Sequence, residues 1–285
     1  MSPPETEGVL QAIADPAMGR AGSPRLLLVA AHPDDETIGA SIVLGRVSGA
    51  MVVYLTDGAP RDPQFRSPHV SGSRELYACV RAEEAASALS YVDVSRERIV
   101  FLRGVDQESI LQASELLEEL VTLIQEFQPT ILLTHPYEGG HPDHDAAALL
   151  SRLSLQLAAR KGVPVADLLE MTSYHAEGST RVTGRFLGAP PVLGGSVDPA
   201  VQLKMSAEER TRKARMLGCY VSQWHVLSDI PLEPEQVRSA PMYDFTRPPH
   251  EGTLWYENLH WPITGVRWRE LAAQVLAGFG ELAWR

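Results

Sequence analysis

Leu26-Leu27-Leu28-Val29-Ala30-Ala31, followed at once by His32-Pro33-Asp34-Asp35-Glu36, is the stretch on which the fold turns. Six apolar residues bounded by Pro24, Arg25 and a polar cluster read as a short strand buried on both faces, as in a parallel sheet. Working outward, residues 37–47 have small and aliphatic residues at helical spacing. Residues 51–55 form a second apolar run, ending in Thr56-Asp57-Gly58. A loop rich in Pro, Arg and Ser covers 59–72. Helical periodicity returns over 73–89 and a third strand is expected at 99–102. Asp106 is placed to cap a helix over 108–127. A fourth strand is expected at 130–134, a polar segment at 135–145, a helix at 143–160 and a fifth strand at 168–174.

Strands that alternate with helices predict a three-layer α/β sandwich with a mostly parallel sheet. In such sheets ligands bind beyond the carboxyl ends of the strands. The two unusual polar segments both fall there, one after the first strand and one after the fourth.

The rest of the chain is less regular. Residues 178–200 are rich in Gly and Pro and suit a short hairpin. Ser206 and Glu209 form a capping-box start for a helix over 206–220. Residues 230–262 are Pro-rich and aromatic, and a final helix is expected at 266–282. The chain is read as a single domain over 1–285, with a leader over 1–24 and a wrapping C-terminal segment over 230–285.

The chain has 285 residues, 44% hydrophobic and 21% charged, which is ordinary globular composition. A net charge of -11 argues against nucleic acid as partner, since phosphate neutralisation needs a basic face. No apolar run reaches membrane-spanning length, so no membrane insertion is expected. The N-terminus lacks a signal-peptide pattern, which makes cytoplasmic location the expectation. Cys79 and Cys219 are far apart and in no C-x-x-C arrangement; buried thiols, not a disulfide scaffold, are expected.

The polar segments carry the chemistry. The first offers His32, Asp34, Asp35 and Glu36; the second, Gly139-Gly140-His141-Pro142-Asp143-His144-Asp145, offers two His with the same spacing of three. His and carboxylate together suit a divalent metal, zinc or ferrous iron. A catalytic zinc keeps three protein ligands and leaves room for water. A His, Asp, His set satisfies that count, with the remaining groups free to act as base and acid on an attacked carbonyl. Spacing alone leaves open which Asp binds the metal. Asp143 is placed to orient the His141 ring. Arg61, Arg66 and Arg74 border the loop after the second strand and could bind sugar hydroxyls or a phosphate; Asp106 could accept from a sugar hydroxyl. A dinucleotide-binding Rossmann enzyme is excluded, because no G-x-G-x-x-G follows the first strand.

The paired motifs Ala31-His32-Pro33-Asp34-Asp35-Glu36 and His141-Pro142-Asp143-His144 resemble those of the PIG-L/LmbE-like N-acetylglucosamine deacetylases. Thr56-Asp57-Gly58, Arg81 to Glu84, and Lys213 through Gln223 extend the likeness. The resemblance implies a Rossmann-like fold and a zinc-dependent hydrolase. Its substrate would be an amino-sugar conjugate, losing an N-acetyl group to an activated water. It implies His32, Asp35 and His144 as metal ligands, Asp34 as general base, His141 as oxyanion stabiliser and Asp143 as its neighbour. An amidase acting on a larger acyl group and a non-catalytic sugar binder are the alternatives. A homo-oligomer is compatible with this reading.

Overall fold

The structure, a computed structural model, describes residues 10, 13, 14, 24–194, 196–259 and 261–279. The expected leader therefore lies almost wholly outside the described residues, as does the end of the last expected helix.

The first strand, β1 (Leu26–Ala30), is followed by α1 (Asp35–Arg46), β2 (Met51–Thr56), α2 (Arg74–Leu89), β3 (Ile99–Gly104), α3 (Ala113–Phe127), β4 (Ile131–Thr134), α4 (Pro142–Arg160) and β5 (Asp167–Met171). Next come the hairpin strands β6 (Tyr174–Glu177) and β7 (Thr180–Thr183), then β8 (Val201–Leu203), α5 (Ala207–Cys219), the short α6 (Trp224–Leu227), β9 (Glu235–Ser239) and α7 (Gly265–Phe279).

The seven-stranded sheet runs β3-β2-β1-β4-β5-β9-β8. The first five of these strands are mutually parallel, and β9 and β8 pair antiparallel at the far edge. Every strand of the parallel half is covered on both faces. Along β1, Leu26, Leu28 and Ala30 join the core beneath α1, α2 and α5, while Leu27 and Val29 join the core beneath α3, α4 and α7. The strand order reverses between β1 and β4. That is the switch point where an open α/β sheet leaves a crevice, and both polar segments flank it.

Four expectations need correction. Asp106 does not cap α3: the helix starts at Ala113 with Gln112 in the cap position, and Asp106 lies seven residues upstream, beside the polar segments. The expected fifth strand breaks at Thr172-Ser173, so that Tyr174 onward forms the β6–β7 hairpin, a separate two-stranded sheet. The Pro-rich segment is not only a wrap, because Glu235–Ser239 enters the main sheet between β5 and β8. The cysteines are not buried: Cys79 is exposed on the outer side of α2 and Cys219 is half-buried. No helix among the described residues is long and apolar enough to cross a membrane.

Candidate metal centre

The turn from β1 into α1 forces functional side chains into the crevice. Asp34 takes a φ of 120°, a conformation that L side chains rarely adopt, and its carbonyl accepts from the amides of Thr37 and Ile38 at 3.0 Å each. Such strain persists only where surroundings over-determine it. Here Glu36 does so. Its carboxylate is wholly buried, accepts from the Asp34 amide at 3.0 Å and from Tyr54 Oη at 2.8 Å, and is also bonded by Tyr220 and Thr37. Glu36 is thus a support for the turn, with its acceptor capacity filled.

On the opposite side, α4 starts at Pro142 with His141 as cap; His141 Nδ1 accepts from the Asp143 amide at 3.0 Å. Gly140 lets this loop press against the hairpin, since a Cβ there would lie 1.9 Å from the Tyr174 carbonyl oxygen.

His32, Asp35 and His144 converge, with one donor atom from each lying within 4.8 Å of the others. His144 Nε2 sits 3.0 Å from Asp35 Oδ1, yet it is buried with no properly formed hydrogen bond. Its other nitrogen is held by Ser173 Oγ at 3.2 Å. A buried imidazole nitrogen aimed at a carboxylate, unpartnered and braced from behind, is what a metal ligand requires. Burial also holds the His144 pKa down at about 4 against the opposing pull of Asp35, so the ring keeps its lone pair at neutral pH. Asp35 is driven the other way: burial raises its pKa, but His144 and His135 outweigh that and hold it well below the usual carboxylate range.

A second group shares His32. Asp106, His141 and Asp143 also bring donor atoms within 4.8 Å of it and of one another. Here the atoms are largely committed. Asp143 accepts from the Gln107 amide at 2.6 Å and the Ser109 amide at 3.0 Å, and lies 3.0 Å from His32 Nε2. His141 Nδ1 is 3.8 Å from Asp143, so the carboxylate orients His32, not His141 as expected. Asp106 Oδ1 lies 3.3 Å from His32 Nε2 and has no hydrogen bond.

Asp34 stands beside the first group. Burial, with the nearby Asp35 charge, pushes its pKa up to about 7, although the Arg81 guanidinium pulls it down. Two Arg81 nitrogens lie 3.3 Å from Asp34 Oδ2, and Arg81 also donates to the Pro33 carbonyl. Gly58 makes room for this reach, since a Cβ there would meet Arg81 Nε at 2.7 Å.

Residues 27–153 match the family described as PIG-L, GlcNAc-PI de-N-acetylase. The match takes in both polar segments and covers less than half of the chain.

A 1D-myo-inositol 2-acetamido-2-deoxy-alpha-D-glucopyranoside deacetylase of Catenulispora acidiphila is 33% identical over 160 residues, 47% of this chain and 49% of that protein. Its counterpart in Thermobispora bispora is 32% identical over 165 residues, 49% of this chain and 54% of that protein. The chain therefore spans about half the length of the curated relatives it matches. Among solved structures, a deacetylase–teicoplanin complex from teicoplanin biosynthesis aligns at a TM-score of 0.56 and 17% identity, over 77% of this chain and 99% of that one. The N,N'-diacetylchitobiose deacetylase of Pyrococcus horikoshii aligns at 0.51 and 18%, over 80% and 84%. These two bear on the fold, which they share.

Residues 27–153 supply the His and Asp side chains that line a cleft of about 440 Å³, His32, Asp34, Asp35, Asp106 and His141, but much of its remaining wall comes from beyond residue 153. Tyr174, Arg181, His225, Ile230, Leu259 and Trp261 line it there. The Trp261 ring meets His141 edge-on at 4.4 Å.

Of the three arginines expected at the site, only Arg66 borders the cleft. It donates to the carbonyls of Pro60 and Arg61 at 2.9 and 2.7 Å. Arg61 reaches Glu108 at 2.8 Å, and Arg74 grips both oxygens of Asp57. Tyr137 is core, its ring stacked on Trp268. Two contributors were assigned no role from the sequence. His135 stacks on His144 at 4.0 Å and accepts from the Ala31 amide; Arg81 arrives from α2. His135 at the end of the fourth apolar run could have been suspected from position alone.

Proposed function

We propose that this protein is a zinc-dependent hydrolase that removes an N-acetyl group from an amino-sugar conjugate. The observation that carries the reading is the convergence of His32, Asp35 and His144 beside Asp34, at the inner end of a cleft with room for a sugar ring. His32, Asp35 and His144 would hold the ion, and ferrous iron suits the same donors. Zinc supplies Lewis acidity there, lowering the pKa of water toward neutrality and polarising a carbonyl.

Asp34 takes the proton of the attacking water. A carboxylate pushed up to about 7 is matched to that task near neutral pH. His141 works as a neutral donor. Burial and the neighbouring His32 and His144 hold its pKa well below the usual value. Because Nδ1 accepts from the Asp143 amide, the proton belongs on Nε2, free to bond an oxygen that gains charge as the carbonyl is attacked. Asp34 then passes its proton to the departing amine. Asp143 fixes the His32 ring, and Asp106 offers an unused buried oxygen to a sugar hydroxyl.

The test is acetate release from a panel of lipid, thiol-precursor, nucleotide and oligosaccharide N-acetylglucosaminides with zinc supplied. Release from at least one, lost in Asp34→Asn, is the expected result. Binding of a sugar without acetate release from any would replace the enzyme with a binder.

A further inference from the structure

The cleft holds three arginines, Arg66, Arg81 and Arg181. Arg81 is committed to Asp34 and Pro33, and Arg66 to two backbone carbonyls. Arg181 is different. It sits on β7, opposite Ala176 of β6, and its side chain is half-buried. Among the described residues no carboxylate pairs with its guanidinium and no carbonyl accepts from it. Its only side-chain partners are rings: the guanidinium carbon lies 6.0 Å from the centroid of Tyr174 and 6.0 Å from that of Trp255. Tyr174 in turn meets the His144 ring at 5.1 Å, so the cation is one aromatic ring away from the metal group.

A guanidinium is never neutral in a protein; none of Arg181's nitrogens is sealed from solvent, and none meets an acceptor among the described residues, so its five N–H donors stay available. Ring contacts satisfy its faces, not its edges. The edge is the fork that binds carboxylates and phosphates with two parallel hydrogen bonds. Among the described residues no acceptor reaches it, so an oxyanion entering the cleft can replace water there with two parallel hydrogen bonds. The hairpin that carries Arg181 lies outside residues 27–153, the stretch that matches the family.

We infer that Arg181 is a specificity-determining residue that binds an oxyanion, carboxylate or phosphate, carried by the substrate. The inference rests on the deacetylase reading and narrows it: the preferred amino sugar is an acidic one.

Four probes test this: N-acetylglucosamine, its 1-phosphate, its 6-phosphate, and N-acetylmuramic acid, which places a carboxylate on the third position. The measured quantity is the ratio of kcat/KM for each acidic sugar to that for the neutral one. At least one ratio should exceed about ten, mainly through KM, as expected for a charged hydrogen-bonded pair. Arg181→Met should bring that ratio near one, and Arg181→Lys should keep part of it. A merely structural role would lower all four substrates together and leave the ratio alone, which would overturn the inference. So would the absence of any preference for an acidic sugar. If no probe and no panel sugar releases acetate, the deacetylase reading falls. Arg181 is then judged by calorimetric titration of the zinc-loaded protein with the same four sugars. An acidic preference lost in Arg181→Met supports the role, and equal binding of all four refutes it.

Discussion

Lys213 Nζ lies 2.7 Å from Glu235 Oε1, with both side chains almost completely buried, and together they bond the backbone on either side of a break in a helix. Helix α1 is broken at Ala40 (φ -136°, ψ 15°). The carbonyl of Ile38 and the amide of Ile42, which would pair in a regular helix, flank this break. Lys213 donates to the Ile38 carbonyl at 2.7 Å, and Glu235 accepts from the Ile42 amide at 3.0 Å. An ion pair from α5 and β9 thereby sets the first turn of α1, the turn that carries Asp35.

Lys213→Met should therefore destabilise the fold strongly, because it leaves Glu235 charged, buried and unpaired. Breaking a buried pair costs about 3–5 kcal/mol, which for a chain of this size lowers Tm by roughly 10 °C. Thermal melting followed by circular dichroism measures it. A shift of only a degree or two would show that the pair is not holding the break.

Asp34→Asn should keep its metal and lose turnover by about 10²- to 10⁴-fold, the usual worth of a positioned base. Elemental analysis and steady-state kinetics on the same sample separate the two effects. Near-normal turnover in a metal-loaded sample would remove Asp34 from the role of base.

The two overlapping donor groups make opposite demands. If the metal is held by His32, Asp35 and His144, then His144→Ala lowers zinc content sharply while His141→Ala leaves it nearly full. The reverse result would move the ion to the group of His32, Asp106, His141 and Asp143. Dialysis against a chelator should abolish acetate release in the parent protein, and added zinc should restore it.

Acid stability should depend on Glu209. Burial opposes its ionisation, but hydrogen bonds from Arg46 and from the Ser206 amide and hydroxyl outweigh that and hold its pKa at about 2. A carboxyl group whose folded pKa lies below its unfolded value binds fewer protons when folded. Its contribution is whole above the ordinary value near 4.5 and disappears as pH falls toward 2. Glu209→Gln keeps the capping geometry without the charge. It should lower stability at neutral pH and flatten the fall between pH 4.5 and 2. Urea midpoints at several pH values would reveal it, and parallel curves for the two proteins would exclude the charge as cause.

The alternation of apolar runs with helical periodicity was legible because buried parallel strands need neither face polar. That is why β1, β2 and β4 could be read within a residue or so of their ends. The capping box at Ser206 and Glu209 is local chemistry, and it is present in both hydrogen bonds. The grouping of His32, Asp35 and His144 was legible for a similar reason: these candidate donors occupy two short segments, each directly after a strand, so adjacency in the chain stood in for adjacency in space.

Other features are decided by contacts across the fold. Strand β9 is short, with four of its five residues polar, and it pairs between β5 and β8 across the fold. Asp143 takes its partners from other segments, His32 among them, where local reasoning had offered a neighbouring imidazole, and Asp106 lies beside His32 where it had offered a helix cap. Arg81, 47 residues from Asp34, reaches it through the packing of α2 against the sheet edge. The sequence by itself determined the layered α/β fold and the two clusters of metal donors, because periodicity and neighbour spacing are properties of the chain. Tertiary structure alone decided which arginine stands free in the cleft, because a charge is satisfied or not by groups that lie far away along the chain.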